Sequence, residues 1–578
     1  MTEIPRRAVL RGTALSAMAM AASAPAANSP ADAARPLLEG GKLAAALVTV
    51  ADRTALTQLR PVTPGQISFL AEEGRQGFFQ CVTGSKVSND QLQGLQIPSS
   101  TAGLFHVRIW DNVEGRPEWF GARVNDGNAD CADAIEACYA LCPITQLSQA
   151  DYYIRRTMHF SRNARVFRGV GNWGRGAGLG TRIILHRSAP AIHTADIMVV
   201  GSRDRPLIDS ESYPTDNHFS NFTLLRDGAC MPHMSADPAL YPSGLRASFL
   251  FHCTFRQITS LESSIGFHIG GTVYTTFDDC YVIRAQPGTS SASDFNIGYL
   301  LNGLVSFGYS GGNASLYVRR CSVADSHPRH VSPVGLLARG AFVDTFIDDF
   351  ESARIATGMA FAVQGQKGTG QSIDAHIRNP VLDGCSRMGI DLDLGDTATA
   401  SIDIIDPYIA ADSVRGGDYG ISIHGGAGLV TVTGGQIHSD FRGGSLHFSQ
   451  TFGASVKGTK VHQASRPVVI DDAGSLFLEP QISNVDKTSP NFAITAVKLS
   501  RSIVRPMVTG WNKAAFKGGV SLDATSHHNE IDGSAINPDW FSAANPGFKV
   551  HYKGGDARSG ASGAAFAAAG NRLVGVTD

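Results

Sequence analysis

Ile377-Arg-Asn-Pro-Val-Leu382 and Ile404-Ile-Asp-Pro-Tyr-Ile409 are two copies of one six-residue pattern. The pattern is a hydrophobic residue, any residue, a small or polar residue, then Pro, Gly, Cys or an aromatic, any residue, and a hydrophobic residue. Repeats of a few tens of residues are typical of proteins in which each unit stacks on its neighbours. Successive copies begin 21 to 41 residues apart, and the twelve start at Phe219, Phe255, Phe277, Val318, Ile347, Ile377, Ile404, Val432, Val456, Phe477, Ile503 and Ile531.

The residues between the copies favour strands over helices. Gly420-Ile-Ser-Ile-His424 and Arg466-Pro-Val-Val-Ile470 alternate at period two, the mark of strands with one buried face. Sustained helical periodicity is scarce after residue 145. The sequence therefore predicts an all-β solenoid with three short strands per coil. At about 4.8 Å per coil, twelve coils would form a rod of about 60 Å.

The pattern also predicts which side chains point where. Its first and sixth positions should face the core, together with Cys253, Cys280 and Cys321, and its second and fifth positions should face solvent. The third position should form a turn, because Asn and Asp satisfy local backbone groups there. We expect that column to be structural, and it reads Asn221, Gln257, Asp279, Arg320, Asp349, Asn379 and Asp406.

Composition narrows the class of protein. The 578 residues include 63 glycines and only 17% charged residues, with 49 Lys and Arg against 51 Asp and Glu. This balance argues against a non-specific nucleic-acid binder, which needs a clear basic excess. We expect the glycines at coil corners, where positive φ is needed. The nine cysteines show no metal-ligand spacing, so buried thiols are expected, with no metal and no cofactor.

The N-terminus has the features of an export signal. Arg6 and Arg7 precede an apolar stretch from Ala8 to Ala22, and small residues follow as far as Ala27. A membrane anchor is the alternative, but the apolar core is about 15 residues, against the roughly 20 that a spanning helix needs. The sequence resembles a twin-arginine signal over residues 1–27. It predicts a periplasmic or secreted protein with no stable membrane insertion after cleavage near Ala26.

The segment before the coils suggests a family. Residues 118–135 contain Phe120-Gly121-Ala122, Asp126-Gly127 and an acidic helix start at Asp130 and Asp133. This arrangement resembles the beginning of the pectate-lyase-superfamily right-handed parallel β-helix, in which a short N-terminal helix plugs the first coil. Residues 48–56 and 73–79 resemble a small module that precedes such helices in tailspike-like proteins.

The resemblance, which covers about residues 45–540, sets the expected domain organisation. It implies a signal peptide over residues 1–27, an N-terminal module over 28–115 and a single-stranded right-handed parallel β-helix over 116–557. A flexible tail rich in Gly and Ala is expected over 558–578. The tailspike-like relatives imply a homotrimer, but the sequence itself leaves monomer and trimer open.

The same resemblance implies a carbohydrate polymer as the partner. Members of the family act on such polymers as hydrolases, lyases or epimerases, or bind them without catalysis. The polygalacturonase-like branch carries Gly-His-Gly and Arg-x-Lys motifs, which do not follow in place here. We expect an exported glycoside hydrolase. A polysaccharide lyase acting on a uronate polymer and a non-catalytic glycan-binding surface protein remain as alternatives.

The candidate catalytic residues occupy the solvent-facing second and fifth positions of the pattern. Asp278 and Asp348 should lie two coils apart, about 9.6 Å between backbones, with Glu351 on the coil of Asp348. Glycosidases need two carboxyl groups at comparable separations, so these three residues are the candidate acid and base. A solvated charged face with alternating Asp and Arg is the structural alternative.

Four further residues are candidates for binding the substrate. Tyr281 and Tyr408 are expected to stack on sugar rings, and Arg354 or Arg378 would neutralise a uronate in a lyase. Asp391-Leu-Asp393-Leu-Gly-Asp396 resembles a calcium site only superficially and is interpreted as an acidic strand end. Three histidines on strand-like runs are expected to be structural, and they are His252, His268 and His424.

Overall fold

The structure is a computed structural model. It describes residues 47–85, 90–172, 180–201, 213–227, 237–284, 297–303, 312–325, 333–362, 372–395, 399–438, 441–484, 491–511, 516–534 and 550–575. The predicted signal at residues 1–27, together with Cys230 and Asp396, lies outside these ranges.

The N-terminal module forms a compact unit within residues 47–85 and 95–109. Asp52 begins its helix, since its carboxylate accepts a hydrogen bond of 2.8 Å from the Ala55 amide. The helix Arg53–Gln58 accompanies a five-stranded sheet, and Leu56, Leu70 and Phe79 are among the buried residues of its core. The strands are Val48–Val50, Ile67–Leu70, Gly77–Thr83, Gln96–Pro98 and Leu104–Arg108.

The second unit contains the coils, and its strands pair in parallel from coil to coil. Each coil passes through three stacked sheets in the order A, B, C. This arrangement confirms the predicted all-β parallel β-helix. Sheet A uses Glu114–Gly115, Ile144–Gln146, Val166–Arg168, His218–Arg226, Thr254–Leu261, Thr276–Asp278, Asn313–Arg319, Phe342–Asp348, Ser372–Arg378, Thr399–Ile405, Ala427–Thr433, Phe452–His462, Phe477–Asn484, Ile503–Val504, Glu530–Asp532 and Arg572–Val574.

Four of these strands, Phe452–His462 among them, bend at the corner and continue into sheet B. Sheet B otherwise uses Asp151–Ile154, Arg182–Leu185, Tyr281–Arg284, Ser322–Asp325, Glu351–Ala353, Val381–Cys385, Tyr408–Ala411, Gln436–His438 and Met507–Trp511. Sheet C uses Met158–Phe160, Met198–Gly201, Ser243–Phe251, Ile265–Val273, Ile297–Gly303, Val334–Gly340, Thr357–Ala362, Met388–Asp393, Gly417–His424, Phe441–Ser449, Val468–Gly474, Asn491–Ser500, Phe516–Leu522 and Val550–Tyr552.

A short helix closes the first coils, as the resemblance implied. Pro117–Phe120 forms a 3-10 turn, and the helix Ala132–Leu141 follows it. Tyr139 on this helix is buried against Phe160 and Phe167, with ring centroids 4.7 and 6.4 Å away. Burial of aromatic surface at the open end of a stack replaces the coil that is missing there.

The corner between sheets A and B is built by the third pattern position. Its residues adopt the left-handed conformation, with φ from 50° to 62°. Asn and Asp tolerate this region better than most residues, which explains the sequence preference. The structure therefore supports a turn role for the column, which comprises Asn221, Gln257, Asp279, Arg320, Asp349, Asn379 and Asp406.

A column of glycines runs along sheet C for a different reason. A Cβ atom on Gly389 would lie 2.5 Å from the carbonyl oxygen of Gly420 and 2.3 Å from Cγ2 of Ile409. Each glycine thus leaves room for the sixth-position side chain of the next coil. The expectation that glycines serve positive φ holds at Gly434 and Gly458, but it is wrong for the column Gly244, Gly266, Gly298, Gly335, Gly358, Gly389 and Gly420.

The inward direction of the pattern holds in most coils, with one correction. In the copies that begin at Phe477 and Ile503, the second residue faces the core instead, because the register shifts by one residue after Lys457. Leu478 and Val504 are buried there, whereas Phe477 and Ile503 are only half-buried. Cys253, Cys280 and Cys321 line the core as expected, and the cysteines of the described ranges are free and buried.

The C-terminal segment carries regular structure where a flexible tail was expected. Gly560–Ala568 is a helix, with Phe566 buried against Tyr552 at a ring-centroid distance of 5.6 Å. Arg572–Val574 then pairs in parallel with Glu530–Asp532 and adds one more strand to sheet A. The apolar residue Phe566 is therefore part of a packed helix. No helix within the described residues is both long and apolar enough to cross a membrane.

The connections between strands have unequal lengths at the three corners. From Thr276 to Trp511 the chain passes from sheet A to sheet B within two residues, as at Asp349 and Phe350, or continues as one bent strand, whereas four and thirteen residues separate the two sheets in the first two coils. The number of residues between consecutive strands varies more at the other two corners. Three residues separate Ala353 on sheet B from Thr357 on sheet C, whereas twelve separate Arg284 from Ile297. One residue separates Gly340 on sheet C from Phe342 on sheet A, whereas nine separate Ala362 from Ser372.

Candidate functional site

The outward faces of sheets A and B carry the predicted site residues, on either side of their shared corner. Asp278 pairs with Arg319 in register, and Arg319 pairs with Asp348. Asp278 and Asp348 therefore lie two coils apart as expected, with an arginine between them. Arg378 follows Asp348 in the same column. The structure does not bring the three predicted acids into one contact cluster.

Asp278 is the most constrained of the three acids. Its carboxylate lies 3.5 Å from the Arg256 guanidinium and also forms an ion pair with Arg320. Only 14% of the side chain is exposed. Two guanidinium groups therefore already occupy the carboxylate of Asp278. Its environment matches a structural role better than a catalytic one.

Asp348 and Glu351 differ from Asp278 and from each other. Asp348 has a single ion pair at 3.5 Å with Arg319, and its Oδ1 atom is buried with no hydrogen-bond partner among the described residues. Glu351 is exposed and forms no ion pair within the described part of the chain. The two residues flank the same corner on one coil, separated by Asp349 and the buried Phe350.

The two predicted tyrosines lie in the column of Glu351 on sheet B. Tyr281, Ser322 and Glu351 are consecutive in register, and Val381 and Tyr408 continue the column. Tyr281 donates a hydrogen bond to Asp279, and burial together with this bond raises the pKa of its phenol. The Tyr408 ring lies 5.6 Å from His438 at 41°.

Arg354 and Arg378 are the exposed cations beside these acids. Neither forms an ion pair with a described residue, unlike Arg256, Arg319 and Arg320. Arg354 ends the strand of Glu351, and its left-handed φ of 59° places it at a turn. Both guanidinium groups are therefore available to a ligand.

An aromatic column beside the charged column was missed by the sequence reasoning. Tyr317 and Phe346 stack at 5.0 Å, and Phe346 and His376 stack at 5.1 Å. Arg319 lies 4.5 Å over the free face of Tyr317, and His376 bonds Asp403 at 3.2 Å. Ring stacking along this column stabilises the sheet. Aromatic residues immediately before three consecutive pattern copies were the available signal.

The remaining candidates lie on sheet C. Asp391 and Asp393 share the outward face of one strand, and His424 lies opposite Asp393 in register. His268 is buried and its ring nitrogen is 3.3 Å from Asn302, which fits the expected structural role. Within the described ranges, no three His, Cys, Asp or Glu side chains are grouped as metal ligands.

Comparison with known proteins shows which solved structures share this fold. No family model and no curated protein sequence matches the chain. A solved structure of the tailspike protein of E. coli bacteriophage HK620, in complex with a pentasaccharide, aligns with a TM-score of 0.58 at 10% identity. That alignment covers 79% of this chain and 82% of that chain.

Two variants of the same tailspike align similarly. A point mutant in complex with a pentasaccharide has a TM-score of 0.60 at 10% identity, covering 83% of each chain. A deletion mutant in complex with a hexasaccharide has a TM-score of 0.56 at 11% identity, covering 75% of this chain and 76% of that chain. At such low identity the likeness concerns the fold alone, and in fold the chain is similar to phage tailspike proteins.

Proposed function

We propose that this protein binds and hydrolyses a polysaccharide along the outward faces of sheets A and B. The observation that carries the proposal is the pair of differently placed carboxyl groups, Asp348 and Glu351, on one coil. Catalytic acids and bases are recognised as neighbouring titratable groups whose environments differ. The oligosaccharides bound to the structurally similar tailspike are consistent with a glycan as the ligand.

The two carboxyl groups suit different roles. Asp348 lies 3.5 Å from Arg319, and we propose it as the base that takes a proton from the attacking water. Its Oδ1 atom, which has no hydrogen-bond partner among the described residues, provides the acceptor. Glu351 is exposed on the same coil, and we propose it as the acid that donates a proton to the leaving glycosidic oxygen.

The predicted binding residues suit a chain that runs along the solenoid axis. Tyr281 lies two coils before Glu351 and Tyr408 two coils after it. The column between the tyrosines therefore spans about 19 Å at 4.8 Å per coil, enough for several sugar units. We propose that Arg354 and Arg378 bond sugar hydroxyl or carboxylate groups beside the acids.

The test is incubation of the purified protein with a panel of neutral and acidic polysaccharides. We expect new reducing ends from the wild type, and Asp348→Asn and Glu351→Gln should each lower their formation about a hundredfold or more. Asp349→Asn is the matched control, because it keeps the left-handed turn on the same coil. Unchanged turnover in both catalytic variants would refute the assignment.

A uronate lyase is the second candidate, favoured by the exposed guanidinium groups of Arg354 and Arg378, which form no ion pair with a described residue. Elimination would appear as absorbance of an unsaturated uronate without hydrolysis products. Retention on a polysaccharide with no cleavage at all would instead identify a non-catalytic binder.

We also propose that residues 1–27 direct export through the twin-arginine route, so that the protein meets its glycan outside the cytoplasm. Replacement of Arg6 and Arg7 by Lys should retain the protein inside the cell, as measured by fractionation. Light scattering of the mature protein distinguishes the monomer from the homotrimer that the tailspike likeness suggests.

A further inference from the structure

One histidine of the N-terminal module lies in its core. His106 belongs to the strand Leu104–Arg108 and its side chain has no exposed surface. Neither its Nδ1 atom nor its Nε2 atom has a hydrogen-bond partner among the described residues. A polar group buried in this way loses its bonds to water and gains none in the protein, so such groups are rare in folded cores. His106 is therefore an unusual member of this core.

The residues opposite His106 are apolar or neutral. Cys81 lies opposite it on one neighbouring strand and Ile97 on the other, and both are buried. Side chains opposite each other on antiparallel strands share a face, with Cβ atoms about 5 Å apart. Ile97 and Phe79 belong to the hydrophobic core of the module. Burial raises the pKa of the Cys81 thiol, so the thiol offers no negative charge to the imidazole near pH 7.

A cation on the same face is held by the backbone. Arg108 lies two residues after His106, and its guanidinium donates hydrogen bonds to the carbonyl oxygens of Arg75 at 2.8 Å and Gln76 at 3.0 Å. Its Cζ atom lies 4.6 Å from the centre of the Phe79 ring. Arginine stays charged in proteins, so a proton on His106 would add a second positive charge to this buried face.

The carboxyl groups in the described part of the module are placed elsewhere. They are Asp52, Glu72 and Glu73. Asp52 caps the helix of the module, Glu72 lies 3.0 and 3.3 Å from two guanidinium groups, and Glu73 is exposed. No ion pair joins any of these three described residues to His106. A protonated imidazole would therefore be buried without a counter-charge, which is costly.

Protonation of His106 should therefore work against the folded module. Burial lowers the pKa of its imidazole, whereas histidine in an unfolded chain titrates at about pH 6.5. The contribution of the neutral ring to stability is complete above about pH 6.5, and it is lost as pH falls from there toward the folded-state pKa. A small unit is only marginally stable, so this loss raises the fraction of open molecules.

The histidines of the solenoid are placed differently. Burial also lowers the pKa values of His218, His447 and His462, but these three side chains are only half-buried, so water still reaches them. His268 is buried, and its ring nitrogen lies 3.3 Å from Asn302. The combination of complete burial and two unpartnered ring nitrogens in the described structure is found at His106.

We propose that the N-terminal module is an acid-sensitive unit, which opens when His106 takes up a proton, at a pH at which the solenoid is still folded. The open state exposes the imidazole and the Cys81 thiol to water and leaves the coils stacked. The change is reversible, because only a proton is bound or released. It involves none of the residues that the proposed glycan site uses.

The thiol of Cys81 reports the opening. The full chain is incubated with a dipyridyl disulfide, which reacts with thiols in acid as well as at neutral pH, and labelled cysteines are identified by peptide mass spectrometry. Relative to a free thiol, we expect Cys81 of the wild type to react about tenfold or more faster at about pH 5 than at about pH 7. Cys280 and Cys385, buried in the solenoid, should stay unlabelled at both pH values.

Two substitutions test the role of the imidazole. His106→Leu removes the titrating group and keeps a side chain of similar size, so Cys81 should stay protected at about pH 5. If this variant is already labelled at about pH 7, His106→Gln, which also does not titrate, decides the matter. His159→Gln is the matched control, because His159 is exposed, and it should be labelled like the wild type.

Three results would overturn the inference. In the first, Cys81 of the wild type reacts at the same relative rate at both pH values. In the second, Cys280 and Cys385 become labelled together with Cys81, which would mean that the whole chain opens. In the third, the variants at His106 keep the acid-dependent labelling.

Discussion

At the scale of single residues, the described structure distinguishes carboxyl groups that the sequence presents as equivalent. Asp278 and Asp348 occupy the same pattern position, but Asp278 is held by Arg256 and Arg320, whereas the buried Oδ1 atom of Asp348 has no hydrogen-bond partner among the described residues. The difference arises from residues in neighbouring coils, so the sequence next to Asp278 could not predict it.

Asp391 should make stability depend on pH in a defined direction. Its folded-state pKa is raised by burial and by Asp393, so its contribution to stability is present below the unfolded-state pKa and lost as pH rises through the folded-state value. Asp391→Asn removes this loss. We expect the melting temperature of the variant, relative to wild type, to increase from about pH 3.5 to pH 7.

Thermal melting of both proteins across this range checks the prediction, with Asp472→Asn as the control that should track the wild type. A difference between Asp391→Asn and wild type that stays constant with pH would contradict it. The groups that face Asp391 are Asp393, Arg387 and His424, and histidine titration contributes only in the upper part of the range.

At the scale of elements, two corner devices define each coil. The left-handed residue between sheets A and B was predictable, because Asn, Asp and Gly recur at the third pattern position. The glycine column of sheet C was not predicted, because its cause is a contact between strands that belong to different sheets. Gly389 meets Ile409 and Gly420 in space, 20 and 31 residues further along the chain.

Gly389→Ala should destabilise the solenoid by about 1–3 kcal/mol, because the new methyl group overpacks a space bounded by backbone. The Gly420 carbonyl oxygen at 2.5 Å is backbone and cannot move aside alone. Denaturant unfolding measures the effect. Gly127→Ala is the matched control, since a Cβ atom there meets nothing within 4 Å, and equal stability of the two variants would contradict the steric account.

At the scale of the whole molecule, the coil is the unit of assembly. Composition suggested a large β architecture, and the twelve pattern copies located most of the coils that the structure contains. The irregular spacing of the copies was also informative, because it reflects connections of variable length at two corners. The C-terminal strand Arg572–Val574 escaped notice, since its short segment carries no copy of the pattern.

Removal of one complete coil should leave a folded protein. Ile377 and Ile404 are in register. Deletion of residues 377–403 therefore joins His376 to Ile404 and lets the coils on either side of the deletion stack on each other. Deletion of residues 377–389 moves inward side chains to other positions and should abolish folding. Circular dichroism and thermal melting compare the two, and aggregation of both deletions would contradict the coil as an independent unit.

The two-residue corner between sheets A and B has a consequence for how such a chain can vary. From Thr276 to Trp511, the number of residues between strands varies mainly at the other two corners, on the borders of sheet C, so the columns of sheets A and B keep their spacing. Related proteins with this fold can therefore differ in the length of the connections beside sheet C. The spacing of outward side chains on sheets A and B would stay the same, at about 4.8 Å per coil.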